Sequence, residues 1–135
     1  MRALNILLCG SDPIALQKMA RKFKADGLNV RIVDPVRDGL AFSEKFWDFL
    51  LIDLDGLNSF MRSLLPAVVK EFPNLPIIGI SRRSGATVER LINEVGVELD
   101  GYAFDVPGPE DLIVSFPHIA ARYKADDTRP LYSRP

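Results

Sequence analysis

The sequence predicts an α/β fold, a doubly wound sheet of five parallel strands with helices on both faces. Five short apolar runs alternate along the chain with segments whose apolar residues have helical spacing. The stretches between them are short, and most contain Gly, Pro, Asp or Asn. No internal repeat or low-complexity segment interrupts this alternation, so we expect a single domain.

Each predicted strand is an apolar run bounded by turn-forming or polar residues. The runs cover residues 4–9 (LNILLC), 28–34 (LNVRIVD), 47–53 (WDFLLID), 75–81 (LPIIGIS) and 101–106 (GYAFDV). The third run is apolar enough for a central strand, which neighbouring layers cover on both faces. This run ends in Asp53.

The first predicted helix has clear start and stop signals. Asp12 can cap it, Pro13 fits its first turn, and Gly27 can end it. The apolar spacing predicts one buried face, made of Ile14, Leu16, Met19, Ala20 and Phe23.

Four further helices are predicted in the remaining intervals. They cover residues 35–46, 58–72, 85–99 and 109–124. Gly39 makes the first of these poorly specified, whereas Gly96 gives a stop signal in the third. We expect Pro66 to bend the helix over 58–72, and Pro117 to bend or break the last one.

Composition and charge exclude several classes of protein. The hydrophobic fraction of 47% and the charged fraction of 26% are ordinary for a globular protein. A net charge of −1 argues against nucleic-acid binding, which usually needs a basic surface. The single cysteine excludes an internal disulfide and favours a reducing, cytoplasmic setting. No apolar run approaches the roughly 18 to 20 residues of a membrane helix, so we expect no membrane contact.

Small and polar residues follow four of the predicted strands. In a doubly wound sheet the functional crevice lies at the carboxyl ends of the strands. We therefore expect seven residues at one edge: Gly10, Ser11, Asp12, Asp53, Asp55, Ser81 and Asp105. A carboxylate such as Asp53, at the end of a buried strand, can accept a phosphoryl group, hold Mg²⁺ or simply be bound by its neighbours.

The order and spacing of these strand ends resemble the receiver domain of two-component response regulators, over roughly residues 4–123. ILLCGSDP resembles the first strand and its acidic turn, DFLLIDLDG the third strand, and LPIIGIS the fourth. The resemblance implies the flavodoxin-like receiver topology and a role in signal transduction. It also implies that Asp53 occupies the place of the phospho-acceptor. Ser81, and Tyr102 in DGYAFDVPGPEDL, occupy the places of the switch residues.

The sequence departs from the family at its charged positions. Where the family has two acidic residues that hold Mg²⁺, this chain has Gly10 and Ser11, and helix capping explains the next residue, Asp12. Where the family has a lysine after the fifth strand, this chain has Asp105. Phosphoryl transfer needs positive charge where negative charge develops. We therefore predict a pseudo-receiver that lacks normal Mg²⁺-dependent phosphorylation, has no cofactor and is not an enzyme.

A compensating cation follows the fourth strand. Arg82 and Arg83 lie directly after Ser81, on a loop at the same edge. We hypothesise that one of them reaches Asp53 or Asp105 and takes over the neutralising role of the family's lysine, because a guanidinium suits a bidentate carboxylate pair.

Two alternatives stay open on the sequence. In the first, Asp53 is a working phosphoryl acceptor in a phosphorelay, and Asp12 and Asp53 hold Mg²⁺. In the second, LLIDLDG resembles the D-x-D-G motif of haloacid-dehalogenase-like phosphohydrolases, which would make Asp53 a nucleophile and Asp55 a general acid. Against the second, residues 71–122 contain no lysine for the third motif of that family, and the D-x-D-G stretch follows the third strand rather than the first.

The resemblance implies action through protein contacts, with a protein partner, a fused output domain or a homodimer. The family's contact face would span about residues 86–123, and residues 124–135 would form a tail or linker. We expect Cys9 to be a buried apolar side chain and His118, the only histidine, to serve packing rather than catalysis.

Overall fold

Five parallel strands form one sheet with the third strand at its centre. The computed structural model describes residues 4–33, 47–114 and 116. Its strands are β1 (Asn5–Cys9), β2 (Asn29–Ile32), β3 (Phe49–Asp53), β4 (Ile77–Ser81) and β5 (Gly101–Phe104). They lie in the order β2-β1-β3-β4-β5, and all four pairings are parallel. The predicted fold class is confirmed.

The described residues contain four helices, of which the first three each connect two strands and the last follows β5. They are α1 (Pro13–Ala25), α2 (Ser59–Glu71), α3 (Ala86–Glu94) and α4 (Pro109–Val114). The α2 helix continues through Pro66. The helix predicted over 35–46, the residues Pro117 and His118, and the tail over 124–135 all lie outside the described residues. None of the described helices has both the length and the apolar character that a membrane crossing requires.

Local signals fix the ends of α1 as predicted. The Asp12 carboxylate accepts hydrogen bonds from the N–H groups of Ile14 and Ala15, at 3.0 and 3.3 Å. Gly27 follows the helix with a φ of +88°, a conformation that glycine adopts without strain. The predicted buried face is correct except at Ile14, which is 70% exposed. Ile14 lies about half a turn around the helix from Leu16 and Phe23, on the stripe of the exposed Lys18 and Arg21.

Two apolar layers cover the two faces of the sheet. On one face α1 and α4 pack against alternate strand residues, with Phe23 and Leu112 buried between helix and sheet. On the other face α2 and the end of α3 pack through residues such as Leu65 and Val95. Because both layers meet the central strand, every residue of β3 is buried.

Two aspartates cap strands at the amino-terminal edge of the sheet, opposite the predicted site. Asp48 is fully buried, and its Oδ2 accepts a hydrogen bond from the Asn5 N–H at 2.8 Å. Asp100 Oδ2 accepts one from the Ile77 N–H at 2.8 Å. Each carboxylate satisfies a backbone donor at the start of a neighbouring strand, so both serve the sheet rather than the site.

Candidate functional site

Asp53 lies at the carboxyl end of the central strand and is fully buried. Its Oδ1 accepts a hydrogen bond from the Asp55 N–H at 3.3 Å. Its Oδ2 is buried and has no hydrogen-bond partner. A buried carboxylate oxygen without a donor is costly, because water no longer solvates its charge.

One arginine faces this carboxylate. Nη2 of Arg82 lies 3.6 Å from Asp53 Oδ1 and 3.4 Å from Asp55 Oδ2. The guanidinium therefore bridges the two acids, while 40% of the Arg82 side chain stays exposed. This is the contact that we hypothesised for one of the two arginines. Arg83 contributes only its backbone N–H, which donates to Ser81 Oγ at 2.9 Å.

Asp55 ties the loop after β3 to the loop after β4. Ser81 Oγ donates a hydrogen bond to Asp55 Oδ1 at 2.7 Å, and the Arg82 N–H donates to Asp55 Oδ2 at 2.8 Å. Asp55 also starts a turn that Gly56 completes with a φ of +72°. Both oxygens of Asp55 are thus engaged, which leaves it unsuited to the general-acid role of a phosphohydrolase.

The electrostatics of the site follow from burial. Loss of solvation raises the pKa of the Asp53 carboxyl to about 6, against the lowering effects of Arg82 and of the Asp55 N–H. The charges of Asp55 and Asp12 raise the pKa further. Asp53 is therefore a carboxylate that is only partly compensated at neutral pH.

The end of β1 supplies packing and capping rather than acid groups. A Cβ on Gly10 would lie 2.9 Å from Leu16 Cδ2 and 3.1 Å from Asp53 Cβ, so Leu16 fills the space of a longer side chain. Ser11 Oγ accepts a hydrogen bond from the Asn58 N–H at 2.9 Å. Asp12 caps α1.

Cys9, the last residue of β1, is fully buried as expected. Burial raises the pKa of its thiol to about 12, so the thiol stays protonated at neutral pH and is a poor nucleophile.

The end of β5 differs from the sequence-based expectation. The resemblance put Asp105 in the place of the family's lysine, but the charges that shift the pKa of Asp53 are those of Arg82, Asp55 and Asp12. Asp105 is exposed, and its φ of +59° places it in a left-handed turn, from which its N–H donates to the Ser81 carbonyl at 2.9 Å. Tyr102, at the position of the family's aromatic switch, is 48% exposed.

These donors do not fit a magnesium ion. Mg²⁺ needs near-octahedral oxygen ligands, and carboxylates usually supply one or two of them. Asp53 Oδ2 is free to bind, but the Asp12 carboxylate caps a helix and Asp55 is held by Ser81 and Arg82. Within residues 4–33, 47–114 and 116, no group of three or more His, Cys, Asp or Glu side chains could hold a metal. The guanidinium of Arg82 places a positive charge beside Asp53.

Comparison with known proteins finds similarity in structure only. No family model matches the sequence, and no curated protein matches it significantly.

Solved structures of receiver domains share this fold. A CheY-like response regulator receiver domain protein from Methanospirillum hungatei JF-1 is 21% identical over 91% of this chain and 98% of its own, with a TM-score of 0.57. The signal receiver domain of an HD domain-containing protein from Pseudomonas fluorescens Pf-5 is 14% identical over 92% and 99%, with a TM-score of 0.59. A response regulator from Burkholderia pseudomallei, solved with a phosphorylated aspartic acid and a calcium ion, is 18% identical over 93% and 73%, with a TM-score of 0.57.

These structures define the class of fold. The chain has the five-stranded, flavodoxin-like fold of CheY-like receiver domains, in which helices cover an all-parallel sheet. At these identities the similarity concerns the backbone architecture alone, so the chemistry of this chain has to be argued from its own residues.

Proposed function

We propose that this chain is an atypical receiver-like signalling domain that acts through protein–protein contact, without Mg²⁺-dependent phosphorylation of Asp53. The observation that carries this proposal is the position of Arg82. Its guanidinium bridges Asp53 and Asp55 at 3.6 and 3.4 Å, and so already neutralises the two carboxylates at the end of β3 without a metal.

Electrostatics support the proposal. Phosphorylation would add a group with nearly two negative charges to Asp53, next to the Asp55 carboxylate. Two unit charges about 5 Å apart repel by roughly 3 kcal/mol at an effective dielectric near 20, and a phosphoryl group would repel more. Arg82 is the cation that opposes this repulsion, and it already balances two carboxylates.

Ser81, in the place of the family's switch residue, is also fully hydrogen-bonded. Ser81 Oγ donates to Asp55 and accepts from the Arg83 N–H, so both of its hydrogen-bonding roles are satisfied without a phosphoryl group. The loop after β4 is thereby held in one arrangement by the chain itself. We infer that the contacts of this domain with a protein partner or a fused output domain do not depend on a phosphorylation cycle.

The competing function is a phosphoryl acceptor that uses Asp53. One observation favours it, because Oδ2 of Asp53 has no hydrogen-bond partner and is an available nucleophile. The Burkholderia pseudomallei structure carries a phosphorylated aspartic acid on the same fold, although its site residues are its own.

Incubation with acetyl phosphate and Mg²⁺, followed by intact mass spectrometry, separates the two functions. We expect no mass gain, because Arg82, the cation beside Asp53, already balances two carboxylates. The Asp53→Asn variant serves as the matched control, and a conventional receiver domain in the same tube shows that the donor is active. A stoichiometric gain of one phosphoryl group that is absent from Asp53→Asn would refute the proposal.

A further inference from the structure

A cavity of about 310 Å³ lies at the amino-terminal edge of the sheet, at the end opposite Asp53. Its described wall comes from the chain just before β4 and β5 and from one residue after α4: Pro73, Asn74, Leu75, Pro76, Asp100 and Phe116. We call it the amino-edge cavity. The length of β4 separates it from Ser81 and the acid site, a distance of about 13 Å along the strand.

The position of this cavity follows from how the two apolar layers meet the sheet. Phe116 packs with the layer of α1 and α4, whereas Leu75 packs with the layer of α2 and α3. Since β4 and β5 begin only at Ile77 and Gly101, no strand of the described chain fills the space between these layers there. Wall atoms that face a gap lack packing contacts, and a ligand in the gap would supply them.

The wall of the cavity is held in place by the sheet. The Pro76 carbonyl accepts a hydrogen bond from the Leu50 N–H at 2.9 Å, which ties Pro76 to the central strand. The Phe116 ring meets the Phe49 ring edge-on, with ring centroids 5.3 Å apart. The pyrrolidine rings of Pro73 and Pro76 fix their own φ angles. Because the wall is already ordered, a ligand loses little free energy to ordering it.

Asp100 gives the cavity its charge, and it is the only charged residue in the part of the wall that the structure describes. Its N–H donates to the Ile77 carbonyl at 2.7 Å, and its Oδ2 accepts from the Ile77 N–H at 2.8 Å. These two bonds fix the carboxylate and use one of its oxygens. Oδ1 can still accept a hydrogen bond, so the cavity favours a ligand with a cationic donor.

The remaining wall favours an apolar ring. Pro73, Leu75, Pro76 and Phe116 supply apolar groups, and the ring of Phe116 favours edge-on or offset contact with a second aromatic ring. Ligand cavities usually measure about 300 to 1,000 Å³, so this one suits a single ring with a short arm rather than a larger molecule.

We propose that the amino-edge cavity binds a small aromatic amine, with its ring among the prolines and Phe116 and its ammonium group on Asp100 Oδ1. The ligand would not touch Asp53, so this site is separate from the proposed function and does not depend on it. A peptide with a lysine beside an aromatic residue carries the same chemistry. The small and ordered cavity favours the free amine, and the experiment separates the two.

NMR titration of the isotope-labelled whole chain with phenethylamine tests the proposal. The amide signals of Leu75, Ile77 and Gly101 should shift in a saturable way, whereas that of Arg82 should not. We expect a Kd on the order of 1 mM, as for a ligand of about nine non-hydrogen atoms. Phenethyl alcohol has the same ring without the charge, and it should bind at least about tenfold more weakly.

Two variants test the carboxylate. Asp100→Asn keeps an oxygen for the Ile77 N–H but removes the charge, so phenethylamine should bind about tenfold more weakly and phenethyl alcohol as before. Asn74→Lys adds a cation at an exposed wall position, leaves the strand caps intact and should also weaken amine binding. Glu98→Gln removes an exposed carboxylate outside the described wall and is the matched control, with unchanged affinity.

Several results would overturn the proposal. They are the absence of saturable shifts at the three cavity amides, equal affinity for the alcohol and the amine, and an Asp100→Asn variant that binds the amine as tightly as the parent. Shifts centred on Arg82 would show that the amine binds at the acid site instead. A lysine-containing aromatic peptide that binds where phenethylamine does not would show a protein as the occupant. The acetyl phosphate experiment reports on Asp53, so either proposal can fail alone.

Discussion

Replacing Asp53 with asparagine should stabilise the domain at alkaline pH and have little effect at acid pH. Asparagine keeps the shape of the side chain and the oxygen that accepts the Asp55 N–H, but it removes the buried charge. The gain should grow between about pH 4 and pH 6, the pKa values of Asp53 in the unfolded and the folded chain, and should be complete above pH 6.

The magnitude follows from the pKa of Asp53. Burial raises this pKa to about 6, whereas the unfolded chain has the ordinary value of about 3.9. The folded state thus holds the proton more tightly, so this group favours folding below about pH 4, and the contribution is lost as the pH rises through 6. A difference of about two pKa units corresponds to up to about 3 kcal/mol.

Thermal unfolding of the parent and Asp53→Asn proteins from pH 4.5 to pH 8 measures this effect. At pH 8 the variant should melt about 8 to 12 °C higher, at about 4 °C per kcal/mol for a domain of this size, and the difference should fall to about 4 °C near pH 4.5. Glu98→Gln, which removes an exposed carboxylate, is the matched control and should show no such divergence. Equal melting temperatures at pH 8, or a difference that does not vary with pH, would show that Arg82 compensates Asp53 fully.

Two further substitutions test the packing of the site. Asp55→Asn should weaken the hydrogen bonds from Ser81 and from the Arg82 N–H, and so lower the free energy of unfolding by about 1 to 2 kcal/mol. Hydrogen exchange at the Arg82 amide should become faster. Unchanged exchange at that amide would contradict the bridging role of Asp55. The Gly10→Asp side chain should clash with Leu16, lower the free energy of unfolding by about 1 to 3 kcal/mol in thermal melts, and create no magnesium site. Gly10→Ala, which adds a smaller side chain, is the control and should destabilise the protein less. A stabilising effect of Mg²⁺ on the aspartate variant would contradict this prediction.

The elements of the sheet were predictable because their signals are local. Asp12, Pro13 and Gly27 specify the ends of α1 without reference to the rest of the chain, and the predicted cap is confirmed. The apolar run before Asp53 specifies a central strand, because a strand covered on both faces has no polar alternation. Ile14 is the instructive error. It is apolar, but its position lies on the opposite side of the helix from Leu16 and Phe23, and it is exposed there.

Within the site, the sequence supplied the candidates but not their contacts. The order of strand ends predicted that Asp53, Asp55 and Ser81 would share one edge, and the parallel pairing of β3 with β4 places them together there. The sequence did not show that Asp55 would accept hydrogen bonds from both the Ser81 hydroxyl and the Arg82 amide. Asp105 was expected to oppose Asp53, and a left-handed turn places it in solvent instead.

The sequence by itself determined the succession of strands and helices, because periodicity and capping act within a few residues. Only the tertiary structure decided which charges meet. Arg82 and Asp53 are distant along the chain, and the pairing of β3 with β4 places them 3.6 Å apart. The same holds for Leu16, which fills the space beside Gly10 through the packing of α1. Electrostatic energy depends on distances of a few ångströms and on burial, and folding sets both.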